Sequence, residues 1–139
     1  MKAMNKLWIS LSLAGLIGGC SGAEGPTRYR VSGRVSHQGQ PVPSGWVYFD
    51  PDTSKDNRGP QGFAPIKNGR FDTADGGKGV VGGAHRLRVE GYDGVAVSEE
   101  APQGKALFAP YARTVDLPAE ATTIDVEVAE DQRSTAKAR

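Results

Sequence analysis

The stretch Arg28-Tyr29-Arg30-Val31-Ser32-Gly33-Arg34-Val35-Ser36 alternates without a break: Tyr29, Val31, Gly33 and Val35 point one way, and Arg28, Arg30, Ser32, Arg34 and Ser36 the other. A period of two with one largely apolar set marks a half-buried β-strand. Residues 37–45 supply glycines and prolines for a reversal, and Trp46-Val47-Tyr48-Phe49 then adds four residues that favour strands. Residues 63–66 and 70–73 flank Lys67-Asn68-Gly69, where Asn-Gly is the strongest short-range hairpin signal. Residues 84–91 alternate again, with Leu87 and Val89 on one face and Arg86, Arg88 and Glu90 on the other. Residues 107–111 read as a shorter strand that Pro110 confines to an edge. Thr123, Asp125 and Glu127 alternate with Ile124, Val126 and Val128, the second set facing inward. Short strands separated by turn signals predict an all-β fold, a single antiparallel β-sandwich of about seven strands over residues 28–128.

Both flanks differ from this pattern. Residues 1–6 carry Lys2 and Lys6 and no acid, and an apolar run follows from Leu7 to Ile17. That order of charge and apolar run is a secretory signal peptide, predicted over residues 1–19 as the chain's one helix. The run falls well short of the about 20 apolar residues needed to cross a bilayer core of roughly 30 Å. Residues 129–139 have no apolar periodicity and read as a disordered tail.

Leu16-Ile17-Gly18-Gly19-Cys20 resembles the lipobox of bacterial lipoproteins. The resemblance implies that the Cys20 thiol carries diacylglycerol, that the signal is cut just before it, and that the freed amine is acylated. Cys20 is the sole cysteine, which excludes an internal disulfide and leaves a thiol that lipidation explains. Each buried acyl methylene contributes about 0.8 kcal/mol, so several chains hold the protein to a membrane permanently. Residues 20–27 are small and polar, as a flexible tether should be. In the same family an aspartate after the cysteine retains the protein at the inner membrane of some diderm bacteria. Ser21 stands there, favouring the outer membrane.

Cleavage removes Lys2 and Lys6 from the 17 basic residues and leaves 15 against 16 acidic ones. That balance, with export, argues against nucleic acid as a partner.

Tyr29 to Phe49, with its Val31-Ser32-Gly33-Arg34-Val35 and Gly39-Gln40-Pro41-Val42-Pro43-Ser44-Gly45 segments, resembles the opening of carboxypeptidase regulatory-like domains. Asn68-Gly69-Arg70-Phe71 and Gly83-Ala84-His85-Arg86-Leu87-Arg88-Val89 are similar to the middle of that family's pattern. The resemblance covers residues 29–94 and implies the prealbumin-like sandwich of transthyretin, without the zinc-dependent enzyme domain that accompanies it elsewhere. Neither His37 nor His85 is followed three residues on by the glutamate of such a zinc site. The related transthyretin-like hydrolases end in Tyr-Arg-Gly-Ser, whereas this chain ends Ser134-Thr135-Ala136-Lys137-Ala138-Arg139.

Gly77-Lys78-Gly79-Val80-Val81-Gly82 fits G-x-G-x-x-G but precedes a predicted strand and not a helix, so it reads as a flexible loop and no nucleotide is expected. Asp50, Asp52, Ser54 and Asp56 alternate as in calcium loops, but Lys55 and Gln61 occupy positions where an EF-hand needs glycine and glutamate. Two distant histidines without thiols predict no transition-metal site, and His85 is expected as a hydrogen-bonded histidine beside the core. Arg28, Arg30 and Arg34 share one face, as do Arg86 and Arg88, offering a basic surface or pairs with Asp125 and Glu127. Trp46 and Tyr48 share a side, either as core or as a sugar-stacking platform.

Together these residues predict no catalytic group, no cofactor and no metal. The expected function is a lipid-anchored, non-enzymatic binding or structural module of the cell envelope, held to the membrane through Cys20, with an envelope protein or glycan as partner. The alternative is an accessory subunit or small hydrolase of envelope metabolism.

Overall fold

The alternating stretch folds as β1, Val31–His37, with Val31 and Val35 in the core and Arg34 exposed to solvent. The computed structural model describes residues 25–129. The predicted signal peptide, Cys20 with most of its tether, and all but the first residue of the predicted tail lie outside the described residues. Gln38 and Gly39 take φ of 52° and 74° and return the chain as β2, Gln40–Pro41. After β3, Ser44–Pro51, and β4, Gly62–Lys67, Asn68 and Gly69 repeat that geometry at 50° and 75° and lead into β5, Arg70–Asp72. Two consecutive positive φ values make the type I′ turn, whose twist matches that of the strands it joins. The Asn-Gly hairpin therefore sits where its sequence predicts.

β6, Gly83–Tyr92, pairs with β3 from Ser44 opposite Tyr92 to Pro51 opposite His85. β7, Tyr111–Leu117, pairs antiparallel with the other edge of β6. The order is β2-β1-β5-β4-β3-β6-β7, and the sheet curls into a half-barrel. Two short strands, β8 (Thr122–Thr123) and β9 (Val126–Val128), then run beside β1. The fold is all-β, as predicted. Its interior is one cluster that includes Val31, Val47, Phe49, Phe71, Leu87, Val89 and Val126, each almost or wholly buried. Burying a side chain of this kind contributes about 1.5–3 kcal/mol, so this cluster is the main stabilising element of the domain.

Three local expectations are corrected. Residues 107–110 do not form a strand; they end a long loop whose base is closed by the Asp93 carboxylate, which accepts from the amides of Val95 and Lys105 at 2.9 and 3.1 Å. The strand there begins at Tyr111 and continues to Leu117. β8 and β9 pair with β1 in parallel, so the pairing is not antiparallel throughout. The 50–61 loop is less irregular than expected: Asp50 and Pro51 belong to β3, and Thr53–Lys55 forms one 3-10 turn capped by Asp52.

The break between β8 and β9 has a visible cause. A Cβ on Gly33 would lie 1.8 Å from the Ile124 carbonyl oxygen, so only glycine lets that backbone approach β1. At the same point the Asp125 side chain accepts from the Arg34 amide at 3.0 Å, replacing the backbone bond that the break removes.

Candidate functional site

The strands that bury Val47, Phe49, Leu87 and Val89 on one side carry Trp46, Tyr48, Arg88 and Glu90 on the other, because successive residues of a strand face opposite ways. Trp46 and Tyr48 are half-buried, not part of the core. Their rings are nearly parallel, 24° apart with centroids 6.4 Å from one another. Phe63 of β4 joins them, directly opposite Tyr48 in register and 6.1 Å from the Trp46 ring. The outer face of the sheet thus presents three adjacent aromatic side chains.

Arg88 frames this platform. Its guanidinium lies 4.6 Å over the Tyr48 ring, while Nε donates to Asp50 Oδ2 at 2.7 Å and Nη1 lies 3.6 Å from Glu90. Gln61 also donates to Asp50. Burial pushes the Asp50 carboxyl up, but the hydrogen bonds from Arg88 and Gln61 outweigh it and hold the group below the ordinary carboxylate range. The same bond with Asp50 raises the Arg88 guanidinium. Burial, with Glu90 behind it, raises the Tyr48 phenol, which stays protonated and able to donate at neutral pH.

Beyond β4 the same outer face opens into a groove of about 680 Å³ between β1 and β4, lined among others by Arg30, Arg34, Pro65, Lys67, Arg70 and Asp72. Pro65 is opposite Trp46 in register, so platform and groove are one continuous surface. Arg30 grips Asp72 with both nitrogens of its fork, the Nε bond being 2.9 Å. That pairing, reinforced by the Ala74 amide, lowers the Asp72 carboxyl.

The basic residues lie on the outer face as predicted, but their carboxylate partners are Asp72, Asp50 and Glu90. Asp125 accepts from a backbone amide instead, and Glu127 accepts from the Ser36 hydroxyl. The Asp50–Asp56 oxygens do not converge: Asp50 faces Arg88, Asp52 accepts from the Ser54 hydroxyl at 2.6 Å, and Asp56 lies 3.8 Å from Arg58. The G-x-G-x-x-G segment is pinned, not flexible. Lys78 bridges Phe63 and Val80 bridges Tyr29, with Val80 fully buried. Cβ atoms on Gly77 and Gly79 would meet the Phe63 and Tyr29 carbonyls at 2.1 and 2.6 Å, so these glycines serve close strand packing.

His85 is wholly buried and its Nδ1 donates to the Gly83 carbonyl at 2.8 Å, the hydrogen-bonded position expected of it. His37 donates to Val128 O at 3.1 Å and packs on Phe108, 48 residues from His85 in the chain. Among the described residues no group of three or more His, Cys, Asp or Glu could hold a metal, and no helix is long and apolar enough to cross a membrane.

Phe63 is the site residue that the sequence reading left out. The signal was available in the phase of β4, where Ala64 and Ile66 are buried and Phe63, Pro65 and Lys67 therefore face outward. Chemically, the surface offers flat rings, a fixed ion-pair frame and cationic side chains. Every displaced carboxylate among the described residues, Asp50, Asp52, Asp72 and Glu127, is displaced downward and is ionised at neutral pH. No family model, curated protein or solved structure matches the chain.

Proposed function

We propose that the protein is a lipid-anchored binding module of the cell envelope, exported by the signal at residues 1–19, tethered through Cys20, and engaging its ligand through the outer face of the sheet. The observation that carries the binding half is the cluster of Trp46, Tyr48 and Phe63, left on the outer face of strands whose inner face is fully packed. Aromatic side chains cost little entropy to hold in place and offer a large apolar face, which suits recognition of flat ligands. A non-enzymatic role fits the site. A carboxylic general acid working at neutral pH needs a raised pKa, and the shifted carboxylates among the described residues are all lowered. The regulatory-like resemblance supports a sandwich used as an accessory surface. The anchor rests on the lipobox and on the single cysteine.

The two halves are tested separately. Cys20→Ser should abolish incorporation of labelled palmitate and move the protein out of the membrane fraction while leaving the β-sheet circular dichroism of the domain unchanged. Persistent labelling would remove the anchor. The double variant Trp46→Ala/Tyr48→Ala should lose retention on immobilised envelope polysaccharide; undiminished retention would move the binding face elsewhere.

A further inference from the structure

The register of the outer face places like charges directly opposite one another. Arg34 of β1 faces Arg70 of β5, and Arg70 faces Lys67 of β4, so three cations stand side by side on consecutive strands. With strands about 4.8 Å apart, the row is about 10 Å long. Like charges in directly opposed positions destabilise a sheet. All three side chains are exposed and line the groove.

The groove's carboxylates relieve this row only at Lys67. Asp72 is engaged by Arg30, Asp75 lies 3.4 Å from Lys67, and Asp125 accepts from the Arg34 backbone amide. Among the described residues the guanidinium groups of Arg34 and Arg70 have neither an ion pair nor a hydrogen bond. Two planar forks with every donor free are the groups that bind carboxylates bidentately.

The row is also in line with the aromatic platform. Lys67 and Ser44 begin a ladder that continues through Pro65 and Trp46 to Phe63 and Tyr48. Two residues along a strand advance about 6.7 Å, so this ladder carries cations at one end and rings over the next ~13 Å. A ligand covering it needs apolar ring faces and, at a fixed distance, negative charge. We propose that the outer face binds an acidic polysaccharide, its sugar rings on Trp46, Tyr48 and Phe63 and its carboxylates on Arg34, Arg70 and Lys67. The inference rests on the outer face being the binding surface. An anionic bilayer fits less well, because membrane insertion calls for protruding apolar side chains, and these rings are half-buried against their own sheet.

The full chain carrying Cys20→Ser would be titrated with alginate, a polyuronate, with dextran as the neutral glycan and with phosphatidylglycerol vesicles as the anionic surface. Alginate should bind saturably and more weakly as salt rises, and Arg34→Gln/Arg70→Gln should weaken it at least about tenfold. Arg70→Glu should also abolish binding. It turns two like-charge oppositions into favourable pairs, so it should raise the melting temperature by about 2–6 °C, a gain that separates lost binding from lost folding.

No alginate binding, or equal affinity in Arg34→Gln/Arg70→Gln, overturns the inference. So does capture of vesicles through Arg34 and Arg70 with alginate ignored. If dextran binds in a Trp46-dependent way while alginate does not bind, the acidic-glycan inference fails and the binding-face reading stands; if no glycan binds, both fail.

Discussion

The two faces of β3 and β6 are made by the same strands and obey different rules. Inward, Val47, Phe49, Leu87 and Val89 are wholly buried, and their identity is dictated by volume and polarity. Outward, Trp46, Tyr48 and Arg88 are only half-buried. The inner face accounts for the fold. On the proposed reading the outer face carries the binding, and stability and binding should therefore separate between them.

Breaking the inner face should produce the largest effect. Phe49→Ala removes a fully buried ring that meets Phe71 at 6.1 Å, and should cost about 3–5 kcal/mol in urea unfolding. Gly33→Ala should cost about 2 kcal/mol or more, because its Cβ would collide with the Ile124 carbonyl. Its signature is faster amide exchange across residues 122–128, where β8 and β9 come away from β1.

The outer face should respond more to acid than to truncation of its rings. The Asp50 and Asp72 carboxyls are held below their ordinary pKa in the folded state, whereas the unfolded groups titrate near 3.9. The unfolded chain therefore takes up protons first as pH falls. The stability these pairs supply is full at neutral pH and is lost as pH drops below about 4 toward the folded-state values. Urea midpoints at pH 7 and pH 3 should differ less in an Asp50→Asn/Asp72→Asn variant than in the wild type.

Trp46→Ala should cost only about 1 kcal/mol of stability, since the ring is half-exposed, yet it should remove most of the ligand affinity. The smallest effect is reserved for the loop. Asp52→Ala removes a cap that accepts from the Ser54 amide at 3.0 Å and should lower the melting temperature only slightly. Added calcium should leave the melting temperature unchanged, because the loop's oxygens face different partners.

Much of this division was legible in the sequence, because it depends on local period. The alternation in Arg28–Ser36 and in residues 84–91, and the Asn68-Gly69 turn, fix strands and faces without reference to the rest of the chain. What was not legible depends on register between distant strands. No local signal tells that residues 122–128 return to β1 in parallel, or that Gly33 is the point of closest approach.

Register also determines that Arg88 finds Asp50 and Arg30 finds Asp72. Asp50 on sequence alone reads as one of a run of alternating loop oxygens, with no sign of its partner on β6. β7 lies later in the chain than its local pattern suggests for a different reason. Its inward positions are Tyr111, Arg113, Val115 and Leu117, and an arginine in an inward slot, half-buried and reaching the Asp125 carbonyl at 3.5 Å, interrupts the apolar alternation. The basic row was visible only in part: Arg34 was assigned to the outer face from its own strand, but that Arg70 and Lys67 stand beside it follows from pairing alone.

Trp46 itself reports on the central claim that the outer face is the binding surface. The sequence has two tryptophans, Trp8 and Trp46; Trp8 lies within the proposed signal at residues 1–19, and in the uncleaved chain Trp8→Phe makes Trp46 the sole source of tryptophan fluorescence. Titrating that variant with solubilised envelope polysaccharide should change the Trp46 emission saturably, and Tyr48→Ala should weaken the response. A folded protein whose Trp46 emission stays constant while polysaccharide is retained would place the ligand on another surface and contradict the account.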